Sequence, residues 1–242
     1  MSYRSAAIGA AICASALSVS APASAALVVN PNGSITASGT AGGTAMLNFN
    51  GFADGSTIPG LTGALQLTFA GFSGNSALFN FVLTNTSSSP ITGSRLTIFG
   101  FNVDPDITGA TVTPPTSDFT EVVRGGSAGS LGVIEVCFGG ANCNGGGPGG
   151  PTLGQSASGT ISLNFASPVT SVTLDNFYLR YQSINAPSLN IQGGSARGRV
   201  TPPVPEPGTW AMMLLGFGAV GFAMRRGRNV RAQLKGGLPQ LA

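Results

Sequence analysis

Asn102, Asp104 and Asp106 carry side-chain oxygens two residues apart along one stretch of this chain. In an extended segment alternate residues share a face, so the three could converge on a hard cation, and the series resembles the start of a calcium loop. The remainder of such a loop is missing: Ile107 replaces the required glycine, Pro105 stiffens the segment, and no acid stands at the twelfth position. A turn capped by its own aspartates accounts for the same residues, and both readings stand. A second candidate lies in Phe177-Tyr178-Leu179-Arg180-Tyr181, where strand alternation puts Tyr178 and Arg180 on one face as a small polar-aromatic patch suited to a sugar. An ordinary exposed strand face is the alternative.

Nucleophilic catalysis has little to work with. Gly125-Gly126-Ser127-Ala128-Gly129 fits a nucleophile-elbow pattern, but the chain has no histidine, so no Ser-His-acid triad can be assembled, and the segment reads as a loop. The only lysine, Lys235, lies beyond an apolar segment at the far end, which removes a Ser-Lys dyad. Asp118, Glu121, Glu135 and Asp175 could serve a glycosidase, yet their spacing singles out no pair. The Gly145–Gly150 tract fits a dinucleotide fingerprint without the βαβ context that gives that pattern meaning. We expect no catalysis and no cofactor, calcium being the exception left open.

The elements that must position these residues are strands. Apolar residues alternate at Leu65, Leu67 and Phe69; at Phe79, Phe81 and Leu83; at Leu96 and Ile98; at Ile161, Leu163 and Phe165; at Val169, Val172 and Leu174; and at Phe177, Leu179 and Tyr181. Turn chemistry falls between them, as at Phe72-Ser73-Gly74-Asn75, Ser87–Pro90, Asp104-Pro105-Asp106 and Ser167-Pro168. No internal repeat is visible. This pattern predicts a mainly β domain over residues 26–200, an antiparallel β-sandwich of jelly-roll type, its last part a strand plus linker over 183–199. Asn85-Thr86-Ser87 fits a glycosylation sequon and reads as a turn.

The two ends carry addresses. Residues 1–25 read as a secretory signal-peptide helix, with Arg4, an apolar core from Ala6 to Val19, and Ala23-Ser24-Ala25 before the cut. A lipoprotein reading with Cys13 lipidated meets Ile12 where a small residue is needed. Residues 201–207 form a Pro-rich spacer, and 208–224 form an uncharged segment that, as a helix, spans about 25 Å, close to a bilayer's hydrocarbon core. Residues 225–242 begin with Arg225 and Arg226, whose charge holds that end in the cytoplasm and leaves the domain outside. Between Ala26 and Pro207 there are five arginines and eight acids, a net of −3, so the basic balance belongs to the ends and a nucleic-acid partner is not expected. Cys137 and Cys143, with five residues between them in an exported chain, read as a disulfide, which stabilises by roughly 2 kcal/mol for so short a loop.

Pro205-Glu206-Pro207, Trp210-Ala211, the short Gly-rich apolar helix and the cluster beginning Arg225-Arg226 resemble the PEP-CTERM sorting signal over residues 203–228. The resemblance implies a Gram-negative host, export across its inner membrane, anchoring there, recognition by an exosortase-type processing enzyme, and association with the envelope or with an exopolysaccharide matrix. Farther in, Asn102-Val103-Asp104-Pro105-Asp106, Val136-Cys137-Phe138, Asn142-Cys143 and Arg180-Tyr181-Gln182-Ser183 resemble the cistern family of PEP-CTERM proteins, a likeness that contributes no catalytic residue. The expectation is an exported, surface-sorted, non-catalytic protein, with a carbohydrate-binding module and a calcium-dependent adhesive module as alternatives.

Overall fold

A computed structural model describes residues 26–113, 118–119, 121–127, 133–139, 149–201, 213–218 and 220. Residues 1–25, expected as a signal peptide, the expected sorting residues Pro205, Glu206, Pro207, Trp210, Arg225 and Arg226, and Cys143 lie outside the described residues. The domain is built from β1 (Leu27–Val29), β2 (Ile35–Ser38), β3 (Thr44–Ala53), β4 (Ser56–Ser73), β5 (Ser76–Asn85) and β6 (Gly93–Asp104). These are followed by β7 (Gly109–Thr113), β8 (Glu121–Ser127), β9 (Val133–Gly139), β10 (Ser156–Asn164), β11 (Ser171–Ala186) and β12 (Ile191–Val200).

All twelve strands belong to one antiparallel sheet, ordered β7-β10-β5-β4-β3-β12-β11-β6-β9-β8, with β1 and β2 attached through β11. This corrects the expected sandwich of two separate sheets. The sheet is continuous and wraps until its edge strands β7 and β8 lie side by side, which makes it nearly a barrel. The segment expected as strand plus linker supplies the closing element instead. Arg197–Val200 of β12 pair with Phe49–Phe52 of β3 and so join the two halves. The long strand β11 is the other hub, paired with β6 along one side and with β2 and β12 in succession along the other.

The halves face each other over one core. Leu65, Leu67, Phe69, Phe79, Phe81, Leu83, Ile161, Leu163, Leu174, Leu179 and Tyr181 are all buried in it, as their alternation predicts. Phe81 of β5 meets Phe99 of β6 across the core with centroids 4.9 Å apart, and Phe119, between β7 and β8, packs edge-on to Phe99 at 5.3 Å. One alternating pair departs from expectation. A register shift between the pairs Arg180↔Ile98 and Tyr181↔Leu96 leaves one extra residue in β6, so Leu96 faces the core while Ile98 turns outward. There Ile98 joins Ile134, Cys137 and Tyr178 in a small second cluster.

Close approach of the faces depends on glycine. A Cβ on Gly63 would stand 2.8 Å from the Tyr181 hydroxyl, and one on Gly198 would stand 2.6 Å from Leu179 Cβ. Tyr181 is wedged between these bare backbones, and its hydroxyl has no hydrogen-bond partner. At one end of the sheet Asn85 does find partners: its amide donates to Ser94 Oγ at 3.0 Å and its Oδ1 accepts from Ser87 N at 3.2 Å. Being fully buried, Asn85 of the sequon is closed to glycosylation.

Helical residues occur at 213–218 and 220. No helix among the described residues is long and apolar enough to cross a membrane, and the rest of the expected 208–224 span lies outside them.

A buried unpaired hydroxyl costs about 1–3 kcal/mol, so Tyr181→Phe is expected to stabilise the fold by about 1 kcal/mol. Gly63→Ala is expected to cost about 1–3 kcal/mol through overpacking, and Tyr181→Phe to recover part of that loss. Denaturant melts check both; a less stable Tyr181→Phe protein would show that the hydroxyl is satisfied.

Candidate functional site

The chain leaving β6 must cross the ends of β9 and β8 to reach β7 at the other edge of the sheet, and this crossing forms a groove of about 650 Å³. Glu135 of β9 and Arg124 of β8 reach up to it. One carboxylate oxygen of Glu135 accepts from Val103 N at 2.8 Å and the other from Ile107 N at 2.9 Å. Arg124 donates to the carbonyls of Ile107 and Thr108, and Thr108 N in turn donates to Asn164 O on β10 at 2.7 Å. Ile107 is buried and anchors the corner into the core. The groove's two central charges are therefore occupied in satisfying backbone groups that no strand partner reaches.

The residues of the cation reading lie at this crossing. Asn102 Oδ1 accepts from Glu135 N at 3.0 Å, so the first expected ligand is already engaged. The extended segment that was to align Asp104 with Asp106 ends at Asp104, where β6 stops and the chain bends through Pro105. Asp104, Asp106 and Asp175 are exposed around the groove. Among the described residues no group of three or more His, Cys, Asp or Glu side chains is placed to hold a metal ion. Of the four carboxylates considered for glycosidase work, Glu135 has both oxygens committed to backbone.

The sugar patch is revised. Alternation holds, since Phe177, Leu179 and Tyr181 enter the core and Tyr178 and Arg180 lie on the opposite face. Tyr178, however, is only 4% exposed, packed against Ile98, Ile134 and Cys137, and offers almost no ring face for stacking. Burial raises its phenol pKa above the ordinary tyrosine value, opposed by the charges of Arg180 and Arg197 and by a hydrogen bond from Arg180. Tyr181 is pushed higher still by burial alone. Gly125, Gly126 and Ser127, expected as a loop, belong to β8.

The outer face of β11 and β12 holds what sequence reasoning missed. Arg180 stands directly opposite Arg197, and Tyr178 opposite Arg199, whose guanidinium lies 4.6 Å over the Phe52 ring on β3. No local motif announces this gathering; the pairing register makes it.

Downstream of β12 a family model for the PEP-CTERM protein-sorting motif matches residues 203–228. The chain carries a PEP-CTERM sorting motif. It begins three residues after the sheet's last strand, so the domain and the PEP-CTERM tail are almost contiguous. The motif implies export, anchoring and processing by exosortase-type machinery at the membrane, and then a place at the surface. No curated protein and no solved structure matches this chain.

Two predictions follow from the side chains. Glu135→Ala strips two backbone N–H groups of a charged acceptor and is expected to lower stability by about 2–4 kcal/mol, with Glu135→Gln recovering part of it; an unchanged melting point would remove the corner clamp. For the tyrosines the neutral phenol is favoured in the fold, so that stability is complete below the ordinary tyrosine pKa of about 10 and is lost as pH rises through the higher folded values. Phenolate absorbance of folded protein should lag an unfolded control above that pH, and coincident curves would contradict the burial of both rings.

Proposed function

We propose that this is an exported, surface-sorted, non-catalytic protein of the cell envelope or an exopolysaccharide matrix, carried across the inner membrane of a Gram-negative bacterium and handled there by an exosortase. The observation that carries the reading is the sorting motif at residues 203–228, set directly after a domain whose strands end at Val200. The anchoring helix of this reading is residues 208–224. Its described part, 213–218 and 220, is helical and presents Met213, Leu214, Leu215, Phe217 and Val220 exposed, side chains that a bilayer would cover.

A passive role is supported by the use of charge in the domain. Glu135 and Arg124, two of the charged groups that line the groove, serve the backbone, and the chain has no histidine to act as base. The disulfide Cys137–Cys143 belongs to the same proposal. Cys137 is a bonded sulfur rather than a titrating thiol, and Cys143 is the one other cysteine beyond the signal peptide. The same cysteines, with Asn102, Asp104 and Arg180, support a place in the cistern family.

Intact mass and cell fractionation of wild type against Glu206→Ala test the reading. Wild type is expected to lose both ends and leave the inner membrane, whereas the variant keeps its tail and stays there. A full-length tail in both proteins would leave a plain membrane anchor and end the exosortase reading.

A further inference from the structure

Charge is distributed unevenly over this domain. β3, β4, β5, β7 and β10, half of the wrapped sheet, contain no charged residue, and their outer face is rich in threonine, serine and asparagine, as in the aligned row Thr113, Thr160, Asn80, Thr68 and Thr44. Of the domain's five arginines, Arg95, Arg180, Arg197 and Arg199 all lie on the neighbouring strands β6, β11 and β12. They share the outer face, because the residues beside them in sequence, Leu96, Leu179, Tyr181 and Ala196, are in the core.

The band is a costly arrangement by itself. Arg180 and Arg197 are a directly opposed cross-strand pair, a placement that like charges destabilise. Arg197 and Arg199 follow on the same face of β12, roughly 7 Å apart. Among the described residues no carboxylate comes within ion-pair distance of Arg197 or Arg199. Asp175 belongs to the groove with Asp104 and Asp106, and five residues of strand, roughly 16 Å, separate it from Arg180, while Asp54, at the β3–β4 turn, lies two residues beyond Phe52, the strand partner of Arg197. A domain of net charge −2, five arginines against seven acids over residues 26–200, thus concentrates positive charge in one band.

We infer that the outer face of β11 and β12 binds an anionic polysaccharide, its carboxylates or sulfates taken by Arg197 and Arg199 with Arg180 beside them. The guanidinium fork matches such groups bidentately, and arginines spaced along and across neighbouring strands suit an extended polymer whose charges recur along its length. Phe52, under Arg199, adds an apolar shoulder. An anionic lipid surface fits less well, since none of the domain's exposed large apolar side chains, Val28, Met46, Leu153 and Leu189, belongs to β6, β11 or β12 to insert beside the charges. The inference deepens the matrix reading and rests on it for where such a polymer is met.

The test uses the full chain in detergent, with polygalacturonate as probe, dextran as the neutral control and phosphatidylglycerol vesicles as the lipid arm. Because the tail carries its own arginines, the comparison is between variants. Arg197→Gln with Arg199→Gln is expected to weaken polygalacturonate binding about tenfold at low ionic strength and to flatten its salt dependence, while the double lysine variant keeps both. Arg197→Gln alone, which leaves the Phe52 contact intact, should give an intermediate loss and guards against misfolding of the double variant. Equal binding by wild type and the glutamine variants, equal binding of dextran, or preference for the vesicles would overturn the inference. Sorting does not enter this assay, so a negative result here leaves the Glu206→Ala outcome to stand or fall separately.

Discussion

A sheet wrapped almost into a barrel depends on how its last gap is held. Here the chain leaves β6, passes over the ends of β9 and β8, and starts β7 on the opposite edge, so its backbone loses strand partners over residues 105–108. Glu135 supplies the acceptors for Val103 and Ile107, and Arg124 supplies the donors for the carbonyls of Ile107 and Thr108. An anion on two N–H groups and a guanidinium on two C=O groups replace the missing ladder with charge-assisted bonds, the stronger kind. Ile107 turns inward beneath that corner and joins the core that fills the wrapped sheet.

The rest of the interior follows from how closely the two halves can approach. Bare backbone at Gly63 and Gly198 admits the ring of Tyr181 and the side chain of Leu179, and Phe81, Phe99 and Phe119 fill the space toward the seam. Aromatic volume from three separate stretches of chain thus substitutes for the second sheet of a sandwich. The orphaned Tyr181 hydroxyl is the one polar mismatch of that packing among the described residues.

Surface and tail divide the remaining work. One half of the sheet is neutral, the other carries the arginine band and the acidic groove, and the sorting motif follows the strand that joins the two halves. Because β12 both closes the sheet and leads into the motif, the exported domain is complete just where its address begins.

Strand alternation at Leu65–Phe69, Phe79–Leu83, Ile161–Phe165 and Phe177–Tyr181 was legible, because side-chain direction in a strand is a local property of period two. The destination was legible for the same reason: the motif at 203–228 is a contiguous string. Three things were not. One extra residue in β6 reversed the direction of Ile98, an offset that only pairing with β11 reveals. Glu135 meets Val103 from 32 positions away, and its backbone N–H engages the Asn102 side chain across 33. Arg180 and Arg197 meet only because β11 and β12 turn back on each other in one register. The amino-acid sequence by itself determined the β class, the core-facing residues and the address; the tertiary structure decided the single wrapped sheet, the burial of Tyr178 and the arginine band, since each depends on hydrogen-bond register between segments distant along the chain.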